Sequence, residues 1–270
     1  PFRKARKGSF AQLHPVEYGA QTLLGVLARV PQLRPEDIGD VIMGCAMPFG
    51  VQGGNMARLI VQRAGLPDCV TAQTVNRYCS SGLQTIATAA NAIRCGEEDV
   101  VIAGGVESMS LVPMLVGAED ADPWLAEHRP EVYTTMGITA ENVARQWGIS
   151  RADMDAMAVE SHRRAAQAQA GGCFDGQIIP ITVPGPDGGE VVVCRDEGIR
   201  PGTTAETLAG LKPCFLENGS VTAATSSQMT DGAGFVVLMS EEKAAELGVK
   251  PLARFVSFAT GGVPAEVMGV

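Results

Sequence analysis

Helix-like and strand-like patterns alternate through the first hundred residues, and this alternation constrains the fold more than any other feature of the sequence. A helical repeat of apolar residues over 16–28 is followed by a strand-like run over 40–47. Asn55 can cap a second helix, which Gly65 ends, and residues 70–76 are again strand-like. Alternation of this kind predicts an α/β fold.

The third helix and strand are the clearest of the series. Leu83, Ile86 and Ala90 recur at helical spacing, and Gly96 stands where a left-handed C-cap is expected. Residues 100–103 then form a short, continuous apolar strand, which is typical of a buried position in a sheet.

The regular pattern is interrupted near Ser110 and resumes after residue 220. Prolines and mixed charges come first, followed by two helical segments separated by Trp147-Gly148, the second capped by Ser150 with Asp153. Strands are predicted again at 221–224, 234–239 and 252–258, and between the last two Ser240 can cap a helix that Gly248 ends. We therefore expect a discontinuous α/β domain of residues 1–109 and 221–270, with an inserted α+β domain of residues 110–220.

Charge and cysteine content exclude several classes of protein. The net charge of -9 argues against nucleic acid and anionic membranes as partners. No run approaches the roughly 20 apolar residues of a membrane span, and no secretory signal is present, so a cytoplasmic chain is expected. Seven scattered cysteines without a C-x-x-C pair predict neither disulfides nor a metal site, and most of them are expected to be buried.

Cys79 is the main candidate for chemistry, because it lies where an apolar strand meets the first turn of an alanine-rich helix. Unpaired N–H groups and the positive end of the helix dipole favour the thiolate there, which is the form that attacks a thioester carbonyl. Ser80, Ser81 and Gly82 leave room for a substrate and for N–H groups near an oxyanion. These residues alone are compatible with a nucleophile or with a buried cysteine at a helix start.

Two motifs around Cys79 resemble the acyl-enzyme region of thiolases. Residues 76–84 read N-R-Y-C-S-S-G-L-Q and resemble the family pattern N-R-x-C-S-S-G-L-Q, and residues 103–110 read A-G-G-V-E-S-M-S and resemble A-G-G-x-E-S-M-S. Further agreement continues in order to Met268-Gly269. The resemblance implies that Cys79 is the acyl-accepting nucleophile. It also implies a thiolase-like layered α/β fold whose first half carries an inserted loop domain that binds coenzyme A.

The resemblance also implies contacts with coenzyme A. By position, Arg200 corresponds to an arginine beside the adenine and phosphate end, and Phe215 to an aromatic residue near the adenine. Ala223 and Ser227 correspond to the wall along the pantetheine arm, and Met136 to the lining of the acyl pocket. Without the resemblance, Arg200 would be read as a solvated charge, Phe215 as a loop anchor and Met136 as core. Coenzyme A is thereby expected as a substrate, with no tightly bound cofactor and no metal.

Details of the motifs favour the degradative branch of the family. Ser80-Ser81 resembles 3-ketoacyl-CoA thiolases, as does Thr225-Ser226-Ser227, where biosynthetic members have Asn-Ala-Ser; Thr135 stands where those members usually have a histidine. The implied reaction is thiolytic cleavage of a 3-ketoacyl-CoA through an acyl-Cys79, as in fatty acid β-oxidation, giving acetyl-CoA and an acyl-CoA shortened by two carbons.

Several alternatives stay open beside this reaction. A biosynthetic acetoacetyl-CoA thiolase and a non-catalytic, thiolase-like protein that binds coenzyme A both fit the motifs around Cys79. A β-ketoacyl synthase fits the cysteine context less well, and a cysteine peptidase would need a histidine partner for which no motif is found.

Two catalytic groups of the family have no counterpart in the sequence, namely a histidine in G-H-P and a cysteine in C-x-G-G-G. His14, His128 and His162 stand in no such motif and are expected at the surface. Because the chain runs from Pro1 to Val270 without these motifs, we expect it to be the N-terminal part of the enzyme, with the second half absent and no turnover by itself. The resemblance implies a homodimer or homotetramer and allows a β-oxidation partner subunit.

Overall fold

The computed structural model describes residues 1–112, 114 and 120–270, and packing divides the chain into two units. The first comprises Pro1–Met114, Gln177–Glu197 and Met229–Phe258, and the second Leu115–Gly176, Gly198–Gln228 and Ala259–Val270. Residues 177–197 fall in the first unit because Ile181, Val183 and Val193 are buried in its core. These bounds differ from those expected for the two domains, whose assignment stays a prediction.

A mixed five-stranded sheet forms the centre of the first unit, in the order β1-β7-β4-β2-β3. The parallel strands β2 and β3 both run in the direction of β4, whereas β7 is antiparallel to β4 and to β1. The strands are β1 (Arg3–Lys4), β2 (Asp40–Gly44), β3 (Thr71–Val75), β4 (Val100–Ser108) and β7 (Thr230–Met239), and a separate two-stranded sheet joins β5 (Ile181–Pro184) to β6 (Glu190–Val193).

Helices cover both faces of the five-stranded sheet. The larger core lies on the side of α1 (Pro15–Leu27) and α2 (Met56–Arg63), and α3 (Ser81–Arg94) packs on β2 and β4 from the other side. Since both faces are covered, the start of β4 is a continuous apolar run rather than an alternating one. The predicted α/β architecture is confirmed.

Local signals place most of the helix ends. The side-chain oxygen of Asn55 accepts from the Arg58 N–H at the start of α2, and that of Ser240 accepts from the Lys243 N–H at the start of α8 (Glu241–Leu247). Gly96 and Gly248 follow their helices with φ of 72° and 63°, a region that glycine enters without steric cost. These predicted caps are confirmed.

The second unit is mainly helical in its described part. Its helices are α4 (Pro123–His128), α5 (Met136–Trp147), α6 (Arg151–Ala170) and α7 (Ala205–Ala209). Ser150 and Asp153 form the predicted capping box at the start of α6, each side chain bonding to the main chain of the other residue. None of the helices among the described residues of either unit has the length and apolar character needed to cross a membrane.

The strand predicted at 221–224 is wrong, because local side-chain bonds satisfy the main chain there. Thr222 donates its N–H to the Thr225 hydroxyl at 2.9 Å, and its carbonyl accepts from the Thr225 N–H and from the Ser226 hydroxyl. Threonine and serine hydroxyls offer the main chain such alternatives to a sheet ladder. The segment is therefore a compact turn.

The strand predicted at 252–258 is also wrong. Leu252 is fully exposed, and the carbonyls of Phe255 and Val256 accept from the Arg94 guanidinium instead of from a neighbouring strand. By contrast, the strand predicted at 100–103 is longer than expected, because pairing with β7 carries β4 on to Ser108.

The expectation of mostly buried cysteines is wrong too. Cys45 is buried, whereas the other six are exposed, namely Cys69, Cys79, Cys95, Cys173, Cys194 and Cys214. His14 and His128 are exposed as expected, but His162 is half-buried. Within residues 1–112, 114 and 120–270, no group of three or more His, Cys, Asp and Glu side chains is placed to hold a metal ion.

Candidate active site

Cys79 lies in the turn that joins β3 to α3 in the first unit. The strand ends at Val75 and the helix begins at Ser81, so the cysteine follows the C-terminal end of a parallel strand. Its side chain is exposed, which excludes the alternative of a buried helix-start cysteine. The predicted position of Cys79 at a strand-to-helix junction is confirmed, and the thiol is open to a substrate.

The turn before Cys79 adopts a conformation that side chains seldom accept. Tyr78 has φ of 46°, in the left-handed region, where a non-glycine residue costs about 1–2 kcal/mol. Its N–H donates to Asn76 Oδ1 at 2.8 Å, and its carbonyl accepts from the hydroxyl of Ser81 at 2.6 Å. The Ser81 hydroxyl is buried and also accepts from the Arg77 N–H at 2.8 Å. Hydrogen bonds therefore hold both ends of Tyr78.

Glycines of the sheet let the first turn of α3 lie directly on β2 and β4. A Cβ atom at Gly44 would lie 2.6 Å from Ser81 Cβ and 2.8 Å from Gly82 N. The Thr85 hydroxyl donates to the Gly104 carbonyl of β4 at 3.0 Å. A side chain at position 44 would lift the helix start and the adjoining Cys79 turn, so this close contact requires glycine there.

We expect Gly44→Ala to lower the free energy of unfolding by about 1–3 kcal/mol, because the new methyl would overlap main-chain atoms that cannot rotate away. The measurement is urea-induced unfolding. Gly234→Ala is the matched control, since Gly234 lies in β7 of the same sheet with open space around it. Equal stabilities for Gly44→Ala and the control would contradict the close contact.

Glu107, near the end of β4, anchors the loop that follows β2. Its carboxylate accepts from the N–H groups of Ala46 and Met47 at 2.7 and 3.3 Å, and from the Gln52 side chain at 2.7 Å. Sequence reasoning included Glu107 in a motif but gave it no role. An acidic residue inside an otherwise apolar strand is the signal that points to such a half-buried anchor.

Cys45 differs from Cys79 in both burial and acidity. Burial, with the nearby Glu107 carboxylate as a second cause, raises the pKa of the Cys45 thiol to about 12. Cys45 therefore stays protonated at neutral pH and shielded from reagents, and it offers no second nucleophile.

In the second unit, Met136 and Phe215 lie at the same turn of α5. Met136 is the first residue of the helix, and the Phe215 ring packs against Gly137 so closely that a side chain there would overlap it. Both side chains remain more than one-third exposed, at 45% and 41%. They form an apolar surface of the kind that suits parts of an organic ligand.

Glu141, one turn further along α5, fixes the segment that leads to Ala223 and Ser227. Its carboxylate accepts from the Ser220 hydroxyl and from the Val221 N–H, both at 2.8 Å, and from the Ser220 N–H. Burial acts to raise the pKa of Glu141, but these hydrogen bonds outweigh it and hold the pKa below its usual value. Ala223 and Ser227 are both exposed.

Two further bonds fix the main chain around Arg200 in this unit. The Gln228 side chain donates to the Gly198 carbonyl at 2.7 Å, and the Arg200 N–H donates to Nδ1 of the half-buried His162 at 3.2 Å. The Arg200 side chain is exposed. The second unit thus holds all five residues for which the sequence predicts coenzyme A contacts, and the first unit holds Cys79.

The first unit has a mixed sheet covered by helices on both faces, and an exposed cysteine lies beyond the C-terminal end of a parallel strand. These features define the class of layered α/β domains that carry a site at a strand-to-helix turn. Comparisons with known proteins specify the family within that class. A sequence profile described as "Thiolase, N-terminal domain" matches residues 1–242. The chain therefore belongs to the thiolase family.

Individual relatives agree with this assignment. The chain is 50% identical to the 3-ketoacyl-CoA thiolase of Bacillus subtilis (strain 168), over all of its own length and 71% of that protein. It is 42% identical to the acetyl-CoA acetyltransferase of Cupriavidus necator, over 97% of its own length and 70% of that protein.

A solved structure shows the same fold. The crystal structure of the Bacillus anthracis acetyl-CoA acetyltransferase matches with a TM-score of 0.89 and 39% identity, covering the whole of this chain and 70% of that one. The expected family and the thiolase-like α/β fold are confirmed, and the family is one of acyl-CoA acyltransferases.

Proposed function

We propose that this thiolase cleaves 3-ketoacyl-CoA thiolytically, with Cys79 as the residue that carries the acyl group. The observation that carries the proposal is that the exposed Cys79 thiol lies in a hydrogen-bonded turn before α3, in a chain of the thiolase family. A thiol in this position is accessible to a thioester and lies beside the N–H groups that begin a helix.

The proposed reaction has two half-reactions. In the first, the Cys79 sulfur bonds to C3 of the 3-ketoacyl-CoA, the C2–C3 bond breaks, and C2 takes a proton, which releases acetyl-CoA and leaves acyl-Cys79. In the second, the sulfur of free coenzyme A attacks the thioester carbonyl, so that an acyl-CoA shortened by two carbons leaves and the Cys79 thiol is restored. Proton transfers accompany both steps.

Coenzyme A is the proposed substrate, and the second unit supplies its proposed contacts. The exposed Arg200 guanidinium suits the phosphate-bearing end of the molecule, because arginine pairs with phosphate through two donors. Phe215 offers a ring face for the adenine, Met136 an apolar contact for the acyl and pantetheine part, and Ala223 with Ser227 a small, partly polar wall for the pantetheine arm. We propose that no tightly bound cofactor or metal takes part.

We propose the degradative branch rather than the biosynthetic one. Support comes from the residues at which the sequence resembles degradative members, namely Ser80-Ser81, Thr225-Ser226-Ser227 and Thr135. Comparing kcat/KM for 3-ketooctanoyl-CoA and acetoacetyl-CoA tests this choice, with the longer substrate expected to be at least equally good. A strong preference for acetoacetyl-CoA would favour the biosynthetic alternative.

The direct test is to trap the acyl group. The product of the complete gene is incubated with octanoyl-CoA, quenched in acid and digested, and each cysteine-containing peptide is weighed by mass spectrometry. We expect one octanoyl group on Cys79 and none on Cys45. A label confined to another cysteine would refute the proposed role of Cys79, and the absence of any label, with coenzyme A still bound, would favour a non-catalytic binding protein.

The cellular setting is also a proposal. We propose that the protein acts in fatty acid β-oxidation in the cytoplasm, as a homodimer or homotetramer and with room for a β-oxidation partner subunit. The net charge of -9 supports the exclusion of nucleic acid as a partner.

A further inference from the structure

We propose that Asn76 is a positioning residue for Cys79. Its side chain links the turn that contains Cys79 to the peptide group between Ala46 and Met47, which is hydrogen-bonded to Glu107. The inference rests on the proposed role of Cys79. It concerns residues of the first unit only, and the Asn76 side chain acts through the main chain rather than on a substrate.

The first step is that hydrogen bonds from other residues are needed to stabilise the conformation of the turn. Tyr78 immediately precedes Cys79 and is held at a positive φ that tyrosine adopts only under constraint. Ser81 fixes the carbonyl of Tyr78, and Asn76 Oδ1 accepts its N–H. Without the acceptor on Asn76, the peptide before Tyr78 could rotate, and the Cys79 sulfur would change direction with it.

The second step is that Asn76 is itself fixed at its other end. Its Nδ2 donates to the Ala46 carbonyl at 3.1 Å. That carbonyl belongs to the peptide group between Ala46 and Met47, whose N–H donates to Glu107 at 3.3 Å. Because a peptide group is planar and rigid, its position is transmitted from Glu107 to Asn76.

The third step is that Glu107 fixes this peptide firmly. Its carboxylate also accepts from the Ala46 N–H and from the side chain of Gln52, which is fully buried and donates as well to the Met47 carbonyl at 2.9 Å. Hydrogen bonds to a charged group are stronger than neutral ones, and a connected chain of them strengthens each member. A continuous series of hydrogen bonds therefore connects the buried Gln52, through Glu107 and Asn76, to the turn of the exposed Cys79.

This arrangement predicts an effect on rate rather than on affinity. Reaction rates depend steeply on the direction of the attacking atom, whereas Asn76 is not among the proposed contacts of coenzyme A. We expect Asn76→Ala to slow acylation of Cys79 about tenfold at saturating octanoyl-CoA, the equivalent of one lost hydrogen bond to the turn, and to leave the half-saturating concentration within about twofold. Asn76→Ser should recover part of the rate, because a serine hydroxyl accepts from the residue two positions on, though more weakly.

The experiment compares wild type, Asn76→Ala, Asn76→Ser and a control variant, each made from the complete gene. The control is Gln73→Ala, which removes a side-chain hydrogen bond of similar length, from the Gln73 amide to Asp40. Gln73 lies within β3, the strand that precedes Asn76, and away from the turn. Octanoylation of Cys79 is followed by peptide mass spectrometry. Alkylation of the buried Cys45 by iodoacetamide reports any loss of fold, and hydrogen–deuterium exchange of residues 76–83 reports the turn itself.

The outcomes separate this inference from the proposed function. A tenfold slower Cys79 acylation with faster exchange of residues 76–83, an unreactive Cys45 and normal Gln73→Ala supports the positioning role. Acylation of Asn76→Ala within twofold of wild type overturns it, as does a loss that rises in step with Cys45 alkylation. If wild type is never acylated, the proposed function fails. Unchanged hydrogen–deuterium exchange of residues 76–83 in Asn76→Ala would then independently refute the role of Asn76 in stabilising the turn.

Discussion

Replacing Cys79 by serine is expected to lower kcat/KM for 3-ketooctanoyl-CoA and coenzyme A by at least about 10³-fold. A serine hydroxyl at the same place is a far weaker nucleophile than a thiolate. In other enzymes, removal of the covalent nucleophile lowers the rate by factors of this size or more. The measurement is the steady-state rate of acetyl-CoA release by the product of the complete gene.

Cys95→Ser is the matched control for this substitution. Cys95 is also exposed and caps the opposite end of the same helix, α3, so it tests the loss of a thiol without the proposed chemistry. We expect the control to keep wild-type kcat/KM. Activity of Cys79→Ser within tenfold of wild type would exclude acyl transfer through Cys79.

The second large effect is expected at Glu141, where alanine should lower the free energy of unfolding by about 2–4 kcal/mol. Truncation would leave the N–H groups of Ser220 and Val221 without their acceptor, and an unpaired buried donor costs about 1–3 kcal/mol. Because the segment leads to Ala223 and Ser227, we also expect at least tenfold weaker binding of coenzyme A. Urea unfolding and isothermal titration calorimetry measure the two quantities.

Glu160→Ala is the control for Glu141→Ala. Glu160 lies on α6 and pairs with Arg163 and Arg164 at the surface, where ion pairs contribute little. It should leave both stability and binding near wild type. Similar losses in the two variants would show that any change of helical charge is harmful, and the anchoring role of Glu141 would then be abandoned.

The same carboxylate gives the protein a pH dependence of known sign. The pKa of Glu141 is lower in the folded chain than its usual value of 4.5, so the unfolded chain binds the proton more readily. Its contribution to stability is complete above about pH 4.5 and is lost as the pH falls through the lower native pKa. Wild type should therefore lose stability more steeply than Glu141→Gln below about pH 4.5 in urea unfolding followed across that range.

Features with a local cause could be predicted from the sequence. The spacing of apolar residues, the caps at Asn55, Ser150 and Ser240, and the glycines after α3 and α8 act within a few residues, and each was placed correctly. The predicted strand at 221–224 was wrong for a reason of the same kind. Its apolar and β-branched residues favour a strand, but the hydroxyls around Thr222 offered the main chain nearer partners.

Contacts between distant parts of the chain could not be predicted. Glu107 lies 61 residues from Ala46 and Glu141 lies 79 residues from Ser220, so no local pattern reveals either bond. Cys79 was found because its signal, a motif at a strand-to-helix junction, is contained within nine residues. The Asn76 side chain makes one local hydrogen bond, to Tyr78, and one distant hydrogen bond, to Ala46. Only the structure reveals the second.

Six exposed thiols in a chain of this size have a practical consequence for work with the purified protein. Each can be oxidised to a sulfenic acid or joined to a neighbouring molecule through a disulfide, and these reactions do not depend on catalysis. Preparations stored in air will therefore lose titratable thiol at several places at once.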